Sequence, residues 1–192
     1  MEPDEWRAFV ADLAAKIRPH AGYFSWPPDR ELEELGVVDD LAKSLEAEGR
    51  SFFNSWRSRG QGNDPPDVEA LSQSGETIAI EVTEFVDGRA IEAAKSEHAY
   101  FRPPYSTQEL FHLLTKRIAT KDAPRGIKGG PYSQYVLVIH CDEPRVLDYV
   151  LLQAAGEFRF PVTNLIDRAF LLLSYSPFTR RCPHIELKVR DV

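Results

Sequence analysis

Asn63-Asp64-Pro65-Pro66-Asp67-Val68-Glu69-Ala70, a short polar turn, and then Glu76-Thr77-Ile78-Ala79-Ile80-Glu81-Val82-Thr83-Glu84 form the most informative stretch of the chain. It reads as a β-hairpin. Pro65 and Pro66 bar regular pairing before Asp67, so the first strand begins there. Ser74-Gly75 is a turn signal. Along the second strand Ile78, Ile80 and Val82 share one face, and Ala79, Glu81 and Thr83 share the other. The first is a core face. The second is short and polar, with room expected for an ion and a substrate phosphate. A carboxylate in the middle of so apolar a strand needs a chemical reason, and two carboxylates on adjacent strands suit a hard cation. Mg²⁺ takes oxygen ligands, keeps several waters, and uses one or two protein carboxylates with substrate oxygens. Asp67 and Glu81 are therefore the expected ligands of Mg²⁺ or Mn²⁺, with the Val82 carbonyl as a third oxygen. Their bland alternatives are a turn aspartate bonding its own backbone and a solvated strand glutamate. Glu84 falls on the opposite face, where a solvated, ion-paired or supporting role fits equally.

Working outward, residues 4 to 18 carry apolar side chains at helical spacing (Trp6, Phe9, Val10, Leu13, Ile17). Gly22 to Pro28 breaks that pattern, and a second helix is expected from about Asp29 to the Glu46–Gly49 stretch, with Leu32, Leu35, Val38, Leu41 and Leu45 as its stripe. Residues 51 to 56 are a short strand or an aromatic-anchored loop. A short helix is expected over 87 to 97, then a Pro-rich aromatic loop. Ser106 or Thr107 caps a helix to about Asp122 that buries Leu110, Phe111, Leu114 and Ile118. Its other side presents Gln108, His112 and Lys116, followed by Lys121. Tyr135–Cys141 is a buried strand, 145 to 155 a helix, and Phe158–Val162, Ala169–Tyr175 and Ile185–Val189 are strands. This order predicts an α/β (α+β) fold with a mixed central sheet flanked by helices. It is read as one domain over 1–192: a helical part to residue 50, a core over 51–142, and a helix and strands over 143–192 that complete the sheet.

Pro66-Asp67, followed fourteen residues after the aspartate by Glu81-Val82-Thr83, resembles the PD-(D/E)xK superfamily of restriction-endonuclease-like nucleases. The resemblance covers about residues 29 to 142 and implies a helix, a three-stranded antiparallel meander, a helix and a further strand. It implies that Asp67 and Glu81 bind Mg²⁺ and that a lysine two positions after the acid acts on the attacking water. Thr83 stands at that position. Some bacterial members carry the lysine on the following helix, and Ile118-Ala119-Thr120-Lys121 before Tyr135-Val136-Leu137-Val138-Ile139 resembles that arrangement. Lys121 is thus the migrated lysine, and Lys116 is its rival by helical geometry. Gln108-x-x-x-His112 is similar to the Gln-x-x-x-Tyr motif of RecB-type exonucleases. Glu34 is nominated as an additional acid from the first helix.

The chain has 192 residues and 43 % hydrophobic content, enough for a substantial core. Its net charge of −7 weighs mildly against a nucleic-acid partner, but Lys116, Arg117, Lys121, Arg125 and Lys128 cluster beside the expected site, with Arg125, Lys128, Gln108 and His112 as candidate substrate contacts. The two cysteines, Cys141 and Cys182, lack metal or disulfide spacing, which favours a reducing, cytoplasmic setting. The acidic N-terminus does not resemble a signal peptide, and no apolar run reaches the ~20 residues needed to span a bilayer. The expected function is a Mg²⁺-dependent nuclease acting on DNA or RNA, with DNA the favoured partner. The alternatives are an inactive nuclease-like binding or assembly module, which could be a homodimer, and a hydrolase of small phosphorylated substrates.

Overall fold

The structure, a computed structural model, describes residues 30–60, 62–86, 105–123, 126–141 and 149–190. The helices expected over 4–18 and 87–97, most of the aromatic loop before Tyr105, and Arg125 lie outside these residues. The elements are α1 (Arg30–Ala47), β1 (Phe53–Ser58), β2 (Val68–Ser72), β3 (Thr77–Phe85), α2 (Thr107–Asp122), β4 (Gln134–Cys141), α3 (Tyr149–Glu157), β5 (Arg168–Leu173) and β6 (His184–Leu187). The strands form one mixed sheet in sequential order. β1, β2 and β3 are an antiparallel meander, β3, β4 and β5 run parallel, and β6 returns antiparallel. The fold is therefore mixed α/β, with a six-stranded sheet flanked by helices. No described helix is long and apolar enough to cross a membrane.

The ambiguous 51–56 segment resolves into β1, which pairs with β2 and carries an irregularity between Asn54 and Trp56. Phe158–Val162 is not a strand: Arg159 only bridges Lys188. α1 buries Val37, Val38, Leu41, Ser44 and Leu45, whereas Leu32, expected in the stripe, is exposed. At 3.6 residues per turn Leu32 falls half a turn around from Leu41, so helical geometry turns it outward. α1 closes through Gly49 (φ 66°): the Gly49 N–H donates to the Glu46 carbonyl and the Arg50 N–H to the Leu45 carbonyl, the paired bonds that end a helix at a left-handed glycine.

Two cores sandwich the sheet. α1 covers Val68, Ile78, Ile80, Val82, Val136, Val138 and Phe170. α2 and α3 cover Ala79, Phe85, Leu137, Ile139, Ala169 and Leu171. The face carrying Glu81 is thus a second core face, a correction to the open polar face expected from β3 alone. The cause is topological. The β3-α2-β4 connection joins parallel strands, and such crossovers lay a helix over the sheet, so both faces of β3 are buried.

Ser106 caps α2 by accepting from the Glu109 N–H (3.2 Å). Its C-terminal end is anchored through Asp122, whose carboxylate accepts from the N–H groups of Asn164 (2.8 Å), Leu165 (2.7 Å) and Ile166 (3.1 Å). Burial works to raise the Asp122 pKa, but these donors outweigh it and hold the group below its ordinary value. A depressed carboxyl pKa stabilises the fold above the unfolded value, and that contribution is lost as pH falls through the carboxylate range. Asp122→Ala should cost about 1–3 kcal/mol at neutral pH, measured by urea unfolding, and the difference from the parent should shrink toward pH 3. Because Asp122 directly follows Lys121, the same bonds hold that lysine's backbone in place.

Candidate active site

Asp67 stands at the mouth of β2, and the β2–β3 register, with Val68 opposite Ile80, brings it level with Glu81. The turn before it is clamped from both sides: the Arg59 N–H donates to the Asp67 carbonyl (3.0 Å) and the Lys128 N–H to the Pro65 carbonyl (2.9 Å). The 126–133 loop is held there by Glu69, which accepts from Arg59 (2.5 Å) and from the Tyr132 hydroxyl (2.8 Å). Gly129 (φ 81°) allows this approach, since a Cβ there would collide with the Arg59 guanidinium.

The Asp67 carboxylate is nearly sealed from solvent, with its side chain 2 % exposed. Oδ2 accepts from the Val82 N–H (2.8 Å) and Oδ1 from the Arg30 guanidinium (3.3 Å). Val82 therefore meets the site through its amide. Arg30 opens α1 and also donates to Glu34 Oε1 (2.6 Å), and it lies 3.6 Å from Asp64. Glu81 is buried at the centre of β3. Its Oε1 accepts from the Lys121 ammonium at 2.6 Å, and its Oε2 accepts from the Tyr135 hydroxyl at 3.0 Å. Arg30, Glu31, Glu34, Ser58, Gly60, Asp64 and Asp67 line a small cleft at the Asp67 end of the cluster.

The electrostatics are those of a site with surplus negative charge. Asp64, Asp67, Glu34 and Glu81 face two cations, Arg30 and Lys121. Burial, then the charges of Glu81 and Glu34, push the Asp67 pKa up to about 7, and the Val82 amide and Lys121 only partly oppose them. Burial likewise raises Glu34 despite its bond to Arg30, with Asp64 and Glu81 adding to the shift. With all four carboxylates ionised the surplus amounts to the charge of one divalent cation, and carboxylate oxygen is the ligand chemistry Mg²⁺ prefers. Among the described residues no group of three or more His, Cys, Asp or Glu side chains converges with metal-ligand geometry. A cation here would be held by the Asp67–Glu81 pair with backbone, water or substrate oxygens.

Of the two rival lysines, Lys121 reaches the carboxylates. Lys116 lies one and a half turns earlier on α2 and is exposed. Gln108 and His112 are also exposed, and at 1.5 Å per residue they lie about 20 and 14 Å along the helix from Lys121. The structure does not bring them to the carboxylates. Thr83 is buried on the Glu81 face of β3. Glu84, on the α1 face, sits beside His140 of β4. Lys128 flanks the Asp64–Asp67 turn, with its ammonium on the Gly62 carbonyl (2.7 Å). Glu34, nominated from the sequence, joins the cluster.

Three members escaped sequence reading. Asp64 was visible in the quoted stretch and could have been found from the doubled acid around Pro65-Pro66. Tyr135 and Arg30 carry no local signal, because only the parallel β3–β4 pairing and the packing of α1 bring them in. No family model, no curated protein and no solved structure matches the chain.

Proposed function

We propose that the protein is a divalent-metal-dependent phosphodiesterase acting on nucleic acid, with Asp67 and Glu81 as the metal ligands and Lys121 as the catalytic cation. Lys121 carries this reading: its ammonium, delivered from the helix after β3, lies 2.6 Å from a glutamate buried level with Asp67. An ion pair so far into the sheet is costly to desolvate and adds little net stability, so a chemical role accounts for it better than a structural one. The element order helix, three-stranded meander, helix, strand supports the same reading.

In this mechanism a bound Mg²⁺ or Mn²⁺ supplies charge neutralisation at the phosphate and polarisation of a water. Asp67 and Glu81, fixed by the Val82 amide and the Tyr135 hydroxyl, would hold it. Lys121 holds the attacking water and offsets negative charge building on the phosphoryl oxygens. Glu34 and Arg30 form the cleft wall, and Lys128 draws the phosphate backbone toward the opening. The reaction class is hydrolysis of a phosphodiester.

Purified protein with Mg²⁺ or Mn²⁺ should nick or degrade at least one of single-stranded DNA, duplex DNA, branched DNA or RNA, and EDTA should stop it. Lys116→Ala should leave the rate within about twofold, whereas loss of a charge-stabilising group at Lys121 should lower it by about 10²–10³. If no substrate is cut and isothermal titration shows no cation binding, the reading is wrong.

Two observations favour a second reading, an inactive nuclease-like module. Both Glu81 oxygens already have partners, and Thr83 stands where the superfamily lysine would be. Cation binding separates the two: an enzyme would take up Mg²⁺ or Mn²⁺, whereas a closed module takes up none.

A further inference from the structure

Past β5 the chain leaves the sheet as a hairpin with a braced base. The Leu173 N–H donates to the Pro183 carbonyl (2.8 Å), the Ser174 N–H to the Cys141 carbonyl (3.2 Å), and the Ser176 N–H to the Arg181 carbonyl (2.9 Å). Between Ser176 and Arg181, which bridge each other, lie Pro177, Phe178, Thr179 and Arg180. Phe178 is 97 % exposed and Tyr175 62 %. A phenylalanine held at the tip of a short, internally bonded loop gains nothing from folding, since its ring stays in water. Arg180 adopts φ 54°, a left-handed conformation that glycine or asparagine takes more readily. Both tip residues are thus poor choices for the loop's own stability.

The charge of this segment contrasts with the chain. Residues 174–181 contain two arginines and no acid, within a protein of net charge −7. Arg181 is turned back onto Glu48 (3.3 Å), and Arg180 is exposed at the tip. Location gives the pairing of ring and cation a direction. Phe85, Cys141 and Leu173 are level across β3, β4 and β5, so the hairpin projects from the end of the sheet toward which β3 runs past Glu81. Four residues from Glu81 to Phe85 span about 13 Å, and five from Leu173 to Phe178 add at most about 17 Å. Phe178 is therefore at most roughly 30 Å from Glu81 along the strand direction, within about nine nucleotide steps of duplex.

We infer that the 174–181 hairpin is a second nucleic-acid contact, in which the Phe178 ring stacks on a base and Arg180 neutralises a backbone phosphate. The inference rests on the phosphodiesterase reading for the identity of the polymer, but binding can be tested without cleavage. A stacked base needs only one ring face and a neighbouring cation. A protein interface needs about 800 Å² per partner, more than two rings of about 200 Å² each provide. Membrane insertion needs a broader apolar face than one tip ring.

The test is fluorescence anisotropy with labelled 30-nucleotide single-stranded and duplex DNA in EDTA, using the full chain. Phe178→Ala should weaken binding roughly five- to a hundredfold. Arg180→Gly, which suits the left-handed position, should keep or raise the melting temperature while lowering the slope of log K against log salt by about one. In cleavage assays the Phe178→Ala loss should fall on KM rather than kcat. Binding by both variants within twofold of the parent overturns the inference, as does a parent that binds neither DNA. So does Phe178-dependent capture by anionic vesicles in place of DNA. A parent that binds through Phe178 but never cuts refutes the hydrolase reading and leaves this one standing. A parent that cuts with binding indifferent to Phe178 does the reverse.

Discussion

Asp67→Asn is expected to yield a protein that melts higher than the parent at pH 8 in metal-free buffer and cleaves nothing. The Asp67 carboxyl has its pKa pushed up to about 7 in the folded state, from an ordinary value of 3.8, by burial and by the charges of Glu81 and Glu34. The folded state therefore binds this proton more tightly than the unfolded chain. Stability falls as pH rises through the interval between the two values, and above pH 7 the whole penalty of the ionised group is present. A shift of this size corresponds to at most about 4 kcal/mol. Asparagine keeps an oxygen for the Val82 N–H, carries no charge to repel Glu81, and cannot serve as an anionic ligand. At about 2–4 °C per kcal/mol for a chain of this size, thermal melts at pH 8 in EDTA should rise by several degrees, and near pH 4 the two proteins should converge. Added Mg²⁺ should stabilise the parent through mass action and leave the variant unmoved. A variant that melts below the parent at pH 8 would show that the Asp67 charge is net favourable in the folded state, and the surplus-charge account would fail.

Lys121 and Glu81 give the second large effect. Lys121→Ala leaves a glutamate buried in β3 without its ammonium partner, and breaking one side of a buried pair costs about 3–5 kcal/mol. Glu81→Gln removes the counter-charge from the lysine instead, but 21 % of that side chain reaches solvent, so the loss should be smaller. The double variant Lys121→Met/Glu81→Gln removes both charges and should recover most of the stability, which a double-mutant cycle in urea would show as a coupling energy. Its cleavage activity should stay at the level of the worse single variant, at least 10²-fold down. A structural ion pair would restore both together. Full activity in Lys121→Ala would remove the lysine from the mechanism.

The sequence reading reached the site because its strongest signals are local. A proline pair sets where β2 can begin, a lone acid in an apolar run marks β3, and a 3.6-residue stripe with a serine cap marks α2. These are consequences of backbone sterics and periodicity, which need only neighbouring residues. The mixed α/β class followed from the order of such elements. Asp67 and Glu81 were nominated on these grounds and Lys121 and Glu34 on the superfamily resemblance, whereas the choice between Lys121 and Lys116 needed the tilt and reach of α2 above the sheet.

Tertiary structure alone decided the rest. The Glu81 face of β3 is a core face because β4 pairs parallel to β3 and α2 crosses over both, an arrangement joining residues more than fifty positions apart. That pairing also sets the Tyr135 hydroxyl on Glu81, and the docking of α1 sets Arg30 between Glu34 and Asp67. Leu32 differs, since the 3.6-residue repeat by itself places it half a turn around from Leu41. The sequence by itself determined which carboxylates stand at the start of β2 and in the middle of β3, and which helix follows them. Only the fold decided that they are sealed from water with too few counter-charges, because desolvation and charge density belong to the packed assembly and to no single stretch of chain.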